Sequence, residues 1–120
     1  MVLIFYLSSQ SDPLPGVTSR FWDKWIHVVE YGALAVLMCP ALTAEGRGLT
    51  RVAVLAVIAA SVYGMTDEWH QSYVPFRSAD VSDWVADTIG AALAAGGYAL
   101  VGFYVRRVHL DAHRLSDEIH

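Results

Sequence analysis

Three pairs of polar residues stand four positions apart in this sequence, and their types suit a metal ion or a charged ligand. The pairs are Asp23 with His27, Asp67 with Gln71, and Asp83 with Asp87. On a helix, residues at this spacing share one face. Oxygen-rich groups bind hard divalent cations such as Mg²⁺. The candidate metal ligands are the carboxylates of Asp67, Asp83 and Asp87.

Arg77 follows the second of these pairs and allows two interpretations. Its planar guanidinium can hold a phosphate in bidentate fashion, such as that of a polyprenyl carrier used in wall synthesis. Alternatively, Arg77 pairs with Asp67 or Asp83 in a structural network that holds three helices in register. Helix capping is the preferred interpretation for Asp23 and Asp83. Asp87 lies two turns inside its predicted helix and cannot be a cap.

Three neighbouring residues are assigned less directly. His27 is interpreted as the hydrogen-bonded partner of a carboxylate rather than as a metal ligand. Glu68 can face lipid headgroups as easily as the site. His70 neighbours the shared face of its helix and is treated as peripheral.

The elements that must position these residues are strongly apolar. The chain has 120 residues, which indicates one domain, and 55% of them are hydrophobic, with a mean hydropathy of +0.39. Residues 52–65 and 89–105, on either side of the acidic stretch, contain no charge. Ionisable groups at the edge of an apolar medium are costly and therefore indicate function. The net charge of −4, with scattered Lys and Arg, gives no indication of nucleic acid, and the single Cys39 excludes an intrachain disulfide.

The first two predicted helices are separated by a glycine-containing turn. The first opens near residues 21–24 and carries an apolar body over residues 25–42, in which Pro40 should kink or end the helix. The second spans residues 49–74 and ends there or shortly before, since Pro75 follows. A soluble helical bundle stays open as an alternative, because the uncharged part of this second helix is short for a bilayer core.

The third predicted helix starts at Asp80, whose carboxylate can cap it, and runs to about Arg107. Small residues at four-residue spacings let it approach other membrane helices closely. Residues 1–107 form the predicted transmembrane domain, and residues 108–120 form a polar cytoplasmic tail that is either a solvated helical extension or disordered. Met1 to Leu7 is either the remnant of a fourth helix or a short interfacial anchor. The predicted fold class is all-α, a small transmembrane bundle of three spanning helices plus this N-terminal remnant.

The distribution of basic residues predicts the orientation of the bundle. One side carries five arginines, Arg47, Arg51, Arg106, Arg107 and Arg114. The other carries Arg20, Lys24 and Arg77. The excess predicts that the first side faces the cytoplasm. All four tryptophans fall on the outer side and are typical of an aromatic belt: Trp22, Trp25, Trp69 and Trp84. The candidate site gathers there too and comprises Asp23, His27, Glu30, Tyr31, Asp67, Glu68, Gln71, Arg77, Asp83 and Asp87.

The polar motifs, taken together, resemble those of a known family. They are Ser8-Ser9-Gln10, Asp23-Lys24-x-x-His27, Glu30-Tyr31, Asp67-Glu68-x-x-Gln71, Arg77 and Asp83-x-x-x-Asp87-x-x-Gly90. Between residues 3 and 105 the chain resembles the VanZ-like family of small bacterial membrane proteins. Members usually have another apolar helix before the Ser-Ser-Gln turn, of which this chain retains only the end, and often have Asn where Asp87 stands. The resemblance implies a multi-pass protein of the bacterial cytoplasmic membrane and, through the family name, reduced susceptibility to teicoplanin.

Two classes of function stay open. One is a non-enzymatic membrane protein whose extracytoplasmic site binds a lipid headgroup, a glycopeptide or a partner protein and alters the behaviour of the cell envelope. The other is an intramembrane enzyme, assisted by a divalent cation such as Mg²⁺, that acts on a phosphorylated polyprenyl lipid. No Ser–His or Cys–His nucleophile arrangement is apparent, since Cys39 falls toward the cytoplasmic end of its helix.

Overall fold

The structure is a computed structural model that describes residues 20–73 and 80–119, and the regular structure of this part is α-helical throughout. Helix α1 spans Arg20–Ala44, α2 spans Leu49–Gln71 and α3 spans Val81–Ile119. All three are long and apolar enough to cross a membrane. The prediction of an all-α bundle with three spanning helices is therefore confirmed. The predicted N-terminal remnant, Met1 to Leu7, lies outside the described residues.

Pro40 lies inside α1 and does not end it, because the helix continues through one further turn to Ala44. The turn that follows contains Gly46, whose φ of 77° favours glycine. The backbone N–H of Gly46 donates to the carbonyl of Thr43 at 3.0 Å, which closes the end of α1. Helix α2 then ends at Gln71, shortly before the proline at position 75, as predicted.

Helix α3 begins where the sequence predicts and continues into the tail. The carboxylate of Asp80 accepts a hydrogen bond from the backbone N–H of Ser82 at 2.9 Å, so Asp80 caps the helix. Of the two states that the sequence leaves open for the tail after Arg107, a helical extension or disorder, the structure shows the extension, since α3 continues to Ile119. Residues 108–119 contain neither glycine nor proline, and nothing in them interrupts a helix. With 39 residues, α3 is about 58 Å long and reaches past the other two helices.

The three helices pack through small residues. Alanines 35, 56, 60, 91 and 95 are fully buried between them, together with Tyr31, Val52 and Cys39. The closest approach joins α1 to α3, where a Cβ at Gly90 would collide with the carbonyl group of Val28. Large apolar side chains such as Ile58 and Leu93 point outward instead. An apolar exterior around a small-residue core is what a bilayer requires, because packing rather than water drives association there.

Candidate functional site

The polar residues of all three helices meet at one end of the bundle. The chain runs up α1, back along α2 and up α3, so the start of α1, the end of α2 and the start of α3 lie together. Six polar side chains are buried there: His27, Asp67, Glu68, Gln71, Asp83 and Asp87. Burying a carboxylate in an apolar bundle is costly unless another group compensates its charge, so the partners of each one decide what the cluster can do.

Asp87 occupies the centre of this cluster and is 0% exposed. Its Oδ1 lies 2.8 Å from Nδ1 of His27 on α1, as expected for a histidine that serves a carboxylate. Its Oδ2 lies against Gly64 on α2, where a Cβ would approach to 2.7 Å. Glycine at position 64 therefore makes room for the Asp87 carboxylate at the contact between α2 and α3.

Glu68 faces this cluster and is buried, at 7% exposed. Its Oε2 accepts the backbone N–H of Asp80 at 2.7 Å, which ties the end of α2 to the start of α3. Among the described residues, its Oε1 has no hydrogen-bond partner, and neither has Oδ2 of Asp87. The ligand atoms of His27, Glu68 and Asp87 all lie within 4.8 Å of one another. One imidazole and two carboxylates thus converge from three helices.

Lys24 is a site residue that the sequence analysis did not assign. Its Nζ lies 2.8 Å from Oδ1 of Asp83 and also donates to Oγ of Ser82. The Asp83 carboxylate is therefore balanced by a cation from α1 and does not act mainly as a helix cap. A signal for this was available, because Lys24 stands three residues before His27 and shares its helix face.

Asp67 has a different partner from the other acids. Nε2 of Gln71, one turn later on α2, donates to its Oδ2 at 3.1 Å. Asp67 and Asp83 do not belong to the converging group, so of the three carboxylates predicted as metal ligands only Asp87 does. Helical spacing predicts the face on which a residue lies, whereas the rotation of each helix against its neighbours decides which residues on that face meet.

The remaining predicted residues fall in three positions. Tyr31 is fully buried, stacks beside His27 at a ring-centroid distance of 6.3 Å and also contacts Tyr63. Glu30 and His70 are half-buried at the edge of the cluster. The side chain of Asp23 and the whole of Arg77 lie outside the described residues, so the pairing of Arg77 with a carboxylate stays a prediction.

The tryptophans at this end also differ from one another. Trp25 and Trp69 are exposed, at 50% and 68%. The indole N–H of Trp84 instead donates to the carbonyl of Ser61 at 3.0 Å, so this residue ties α3 to α2. The side chain of Trp22 is outside the described part of the chain. Exposed Trp25 and Trp69 are the two that suit an interfacial position.

Three apolar spanning helices around a buried acidic cluster define a small integral membrane protein with a polar site at one end. A family profile described as VanZ/LLP1 matches residues 1–102. The chain belongs to this family, and the resemblance noted from its motifs is confirmed. No match was found among curated proteins or among solved structures.

Proposed function

We propose that this VanZ/LLP1 protein is a multi-pass protein of the bacterial cytoplasmic membrane. Its polar site binds either a glycopeptide or the headgroup of an envelope lipid. Through this binding it lowers susceptibility to teicoplanin. The observation that carries the proposal is the buried cluster of four carboxylates at one end of an apolar bundle, Asp67, Glu68, Asp83 and Asp87. A bundle that required only stability would gain more from apolar residues there, which supports a binding role.

The charges of the described site favour one kind of headgroup. Four buried carboxylates stand against Lys24 and the imidazole of His27, so the excess charge is negative. An ammonium group or another hydrogen-bond donor of a lipid or glycopeptide complements such a site directly. A phosphate requires a cation between itself and the acids. In that case either Arg77 or a metal ion would supply the positive charge.

The proposed site faces the extracytoplasmic side. The opposite end of the bundle carries Arg47 and Arg51 beside the α1–α2 turn, and Arg106 and Arg107 on α3. All four are exposed. At the site end, Lys24 forms an ion pair with Asp83. Basic residues close to the ends of spanning helices are retained in the cytoplasm, so this distribution supports the proposed orientation.

The second candidate is a metal-assisted enzyme acting on a phosphorylated polyprenyl lipid. The convergence of His27, Glu68 and Asp87 favours it, since imidazole and carboxylate groups can hold an ion or move a proton beside a phosphoryl group. Incubating the purified protein with polyprenyl phosphate and measuring released inorganic phosphate separates the two candidates. Turnover that is lost in Glu68→Gln supports the enzyme, and bound but unchanged lipid supports the binding protein.

The principal test replaces a buried carboxylate without changing its shape. In a strain that lacks the gene, the wild-type protein should reduce teicoplanin susceptibility and Glu68→Gln should not, because the substitution removes one negative charge from the site. The matched control is Glu118→Gln, which makes the same change at an exposed position on α3. Membrane levels of all three proteins are compared by immunoblot. Full resistance with Glu68→Gln at normal levels would contradict the proposal.

A further inference from the structure

We propose that His27, Glu68 and Asp87 bind one divalent transition-metal ion, Mn²⁺ or Zn²⁺, at the end of the bundle. Each residue comes from a different helix, and all three are buried, with exposures of 5%, 7% and 0%. One ligand atom from each lies within 4.8 Å of the other two, close enough for the three residues to hold one ion after small side-chain adjustments. The ion would join α1, α2 and α3 at one point.

The two carboxylates provide independent evidence for a ligand. Oε1 of Glu68 and Oδ2 of Asp87 are buried and have no hydrogen-bond partner in the part of the chain that the structure describes. The other oxygen of each carboxylate has a partner. Oε2 of Glu68 accepts from the backbone N–H of Asp80, and Oδ1 of Asp87 contacts Nδ1 of His27. Leaving a buried acceptor unsatisfied is costly, and more so when it is charged. A carboxylate that is fixed through one oxygen by a group that is not itself a ligand, as Glu68 is by the backbone N–H of Asp80, has the outer-shell support typical of metal ligands.

The contact between His27 and Asp87 suits a metal as well as a hydrogen bond. Nδ1 and Oδ1 are 2.8 Å apart. Neighbouring ligand atoms on an octahedral ion with bonds of about 2.1 Å are themselves about 3 Å apart. The two arrangements differ in one measurable respect, since only the metal site places a histidine nitrogen in the coordination sphere.

The donor set selects the kind of ion. The sequence analysis considered Mg²⁺ or another hard divalent cation, with three carboxylates as candidate ligands. In the structure Asp67 is bound by Gln71 and Asp83 by Lys24, and His27 supplies a nitrogen to the converging group. Imidazole favours Zn²⁺ and other transition metals over Mg²⁺, while carboxylates suit Mn²⁺. Three protein ligands also leave a coordination position that a headgroup oxygen can occupy.

The inference rests on the proposed function, because it names an ion in the same site, but metal content is measured without any lipid. The untagged full chain is purified in detergent, stripped with a chelator, reloaded with Mn²⁺ or Zn²⁺ and analysed by elemental mass spectrometry. About one ion per chain is expected for the wild type. Glu68→Gln and Asp87→Asn should each weaken metal binding by tenfold or more. Even the loss of a residue that only supports a ligand weakens metal binding by about this factor. The matched controls Glu118→Gln and Asp111→Asn should bind like the wild type.

Variants of buried residues can fail to fold, so a second measurement uses the wild type. Pulsed electron paramagnetic resonance of the Mn²⁺-loaded protein should show coupling to one histidine nitrogen. The coupling should persist in His113→Gln, an exposed position, and disappear in His27→Gln. A wild type that binds no ion, that shows no nitrogen coupling, or whose folded Glu68→Gln variant binds equally well would overturn the inference. If the ion binds but teicoplanin susceptibility never changes, the proposed function fails and the metal site stands.

Discussion

At the scale of residues, the site depends on how each carboxylate is held. Asp83 is balanced by Lys24, Asp67 accepts from Gln71, and the carboxylates of Glu68 and Asp87 each have one anchored oxygen. The position of Asp87 also depends on a residue that has no side chain, Gly64. Position 64 therefore links helix packing directly to the chemistry of the site.

Gly64→Ala tests this link. The new Cβ would lie 2.7 Å from Oδ2 of Asp87, so the carboxylate has to move. We expect a loss of about 1–3 kcal/mol in the free energy of unfolding, as for other overpacked positions, and weaker metal binding. Unfolding in mixed detergent micelles measures the first effect. Gly97→Ala, with nothing within 4 Å of its Cβ, is the control, and equal stability of the two variants would contradict the expectation.

At the scale of elements, the tightest contact joins the backbones of α1 and α3. A Cβ at Gly90 would meet the carbonyl oxygen, carbonyl carbon and Cα of Val28, and Gly32 lies against the carbonyl of Gly90. Because the neighbours are backbone atoms, no change of side-chain rotamer relieves the collision. The approach of these helices brings His27 within reach of Asp87, so the packing of α1 on α3 determines the geometry of the site.

Gly90→Ala should therefore destabilise the protein at least as much as Gly64→Ala. The two helices would have to separate, which costs about 3 kcal/mol or more where overpacking cannot relax. Chemical unfolding followed by circular dichroism measures the change. Gly96→Ala, whose Cβ would also meet nothing within 4 Å, provides the matched control on the same helix. A Gly90→Ala protein as stable as this control would show that α1 and α3 pack less closely than the structure indicates.

The length of α3 is a second property of the elements. The helix passes through positions 107 and 108 without a break. The exposed stretch around this point carries Arg106, Arg107, His109 and Asp111. We propose that the transmembrane domain, residues 1–107, lies in the membrane and that the polar tail, residues 108–120, lies outside it. The described part of α3 is continuous across this boundary.

At the scale of the whole molecule, the bundle is polarised along its length. Its extents are 70 × 27 × 20 Å, and the long axis has the acidic site toward one end and the mixed-charge extension of α3 at the other. The membrane orientation therefore decides which compartment the site faces. The proposed orientation follows from the basic residues rather than from packing.

Single-cysteine labelling tests this orientation. In a Cys39→Ala background, Ser72→Cys at the site end should react with an impermeant thiol reagent on intact cells. Glu45→Cys, in the exposed turn at the opposite end, should react only after the membrane is permeabilised. Acidic residues contribute little to topology, so the second change leaves the orientation signal intact. The opposite labelling pattern would contradict the proposal that the site faces the extracytoplasmic side.

Several features follow from the sequence because their causes are local or one-dimensional. Uncharged runs of sufficient length predict spanning helices, the proline at position 75 limits α2, and Asp80 caps α3. Successive spanning helices run in opposite directions. The start of α1, the end of α2 and the start of α3 therefore lie at the same end of the bundle, and this follows from the sequence without knowledge of any contact. The sequence left two states open for the tail, a helical extension or disorder, because residues 108–119 are polar but contain no helix breaker, and polarity signals a change of surroundings rather than the end of a helix.

The partners within the site depend on tertiary structure. Spacing places Asp67, Asp83 and Asp87 on suitable faces and puts Gln71 one turn from Asp67, but the rotation and approach of the helices pair Asp83 with Lys24. The same approach, permitted by Gly64 and Gly90, joins His27 and Glu68 to Asp87. These are contacts between residues up to 60 positions apart, between His27 and Asp87. Periodicity carries no information about such pairs, because it describes each helix alone, and the contact geometry arises only when the helices pack.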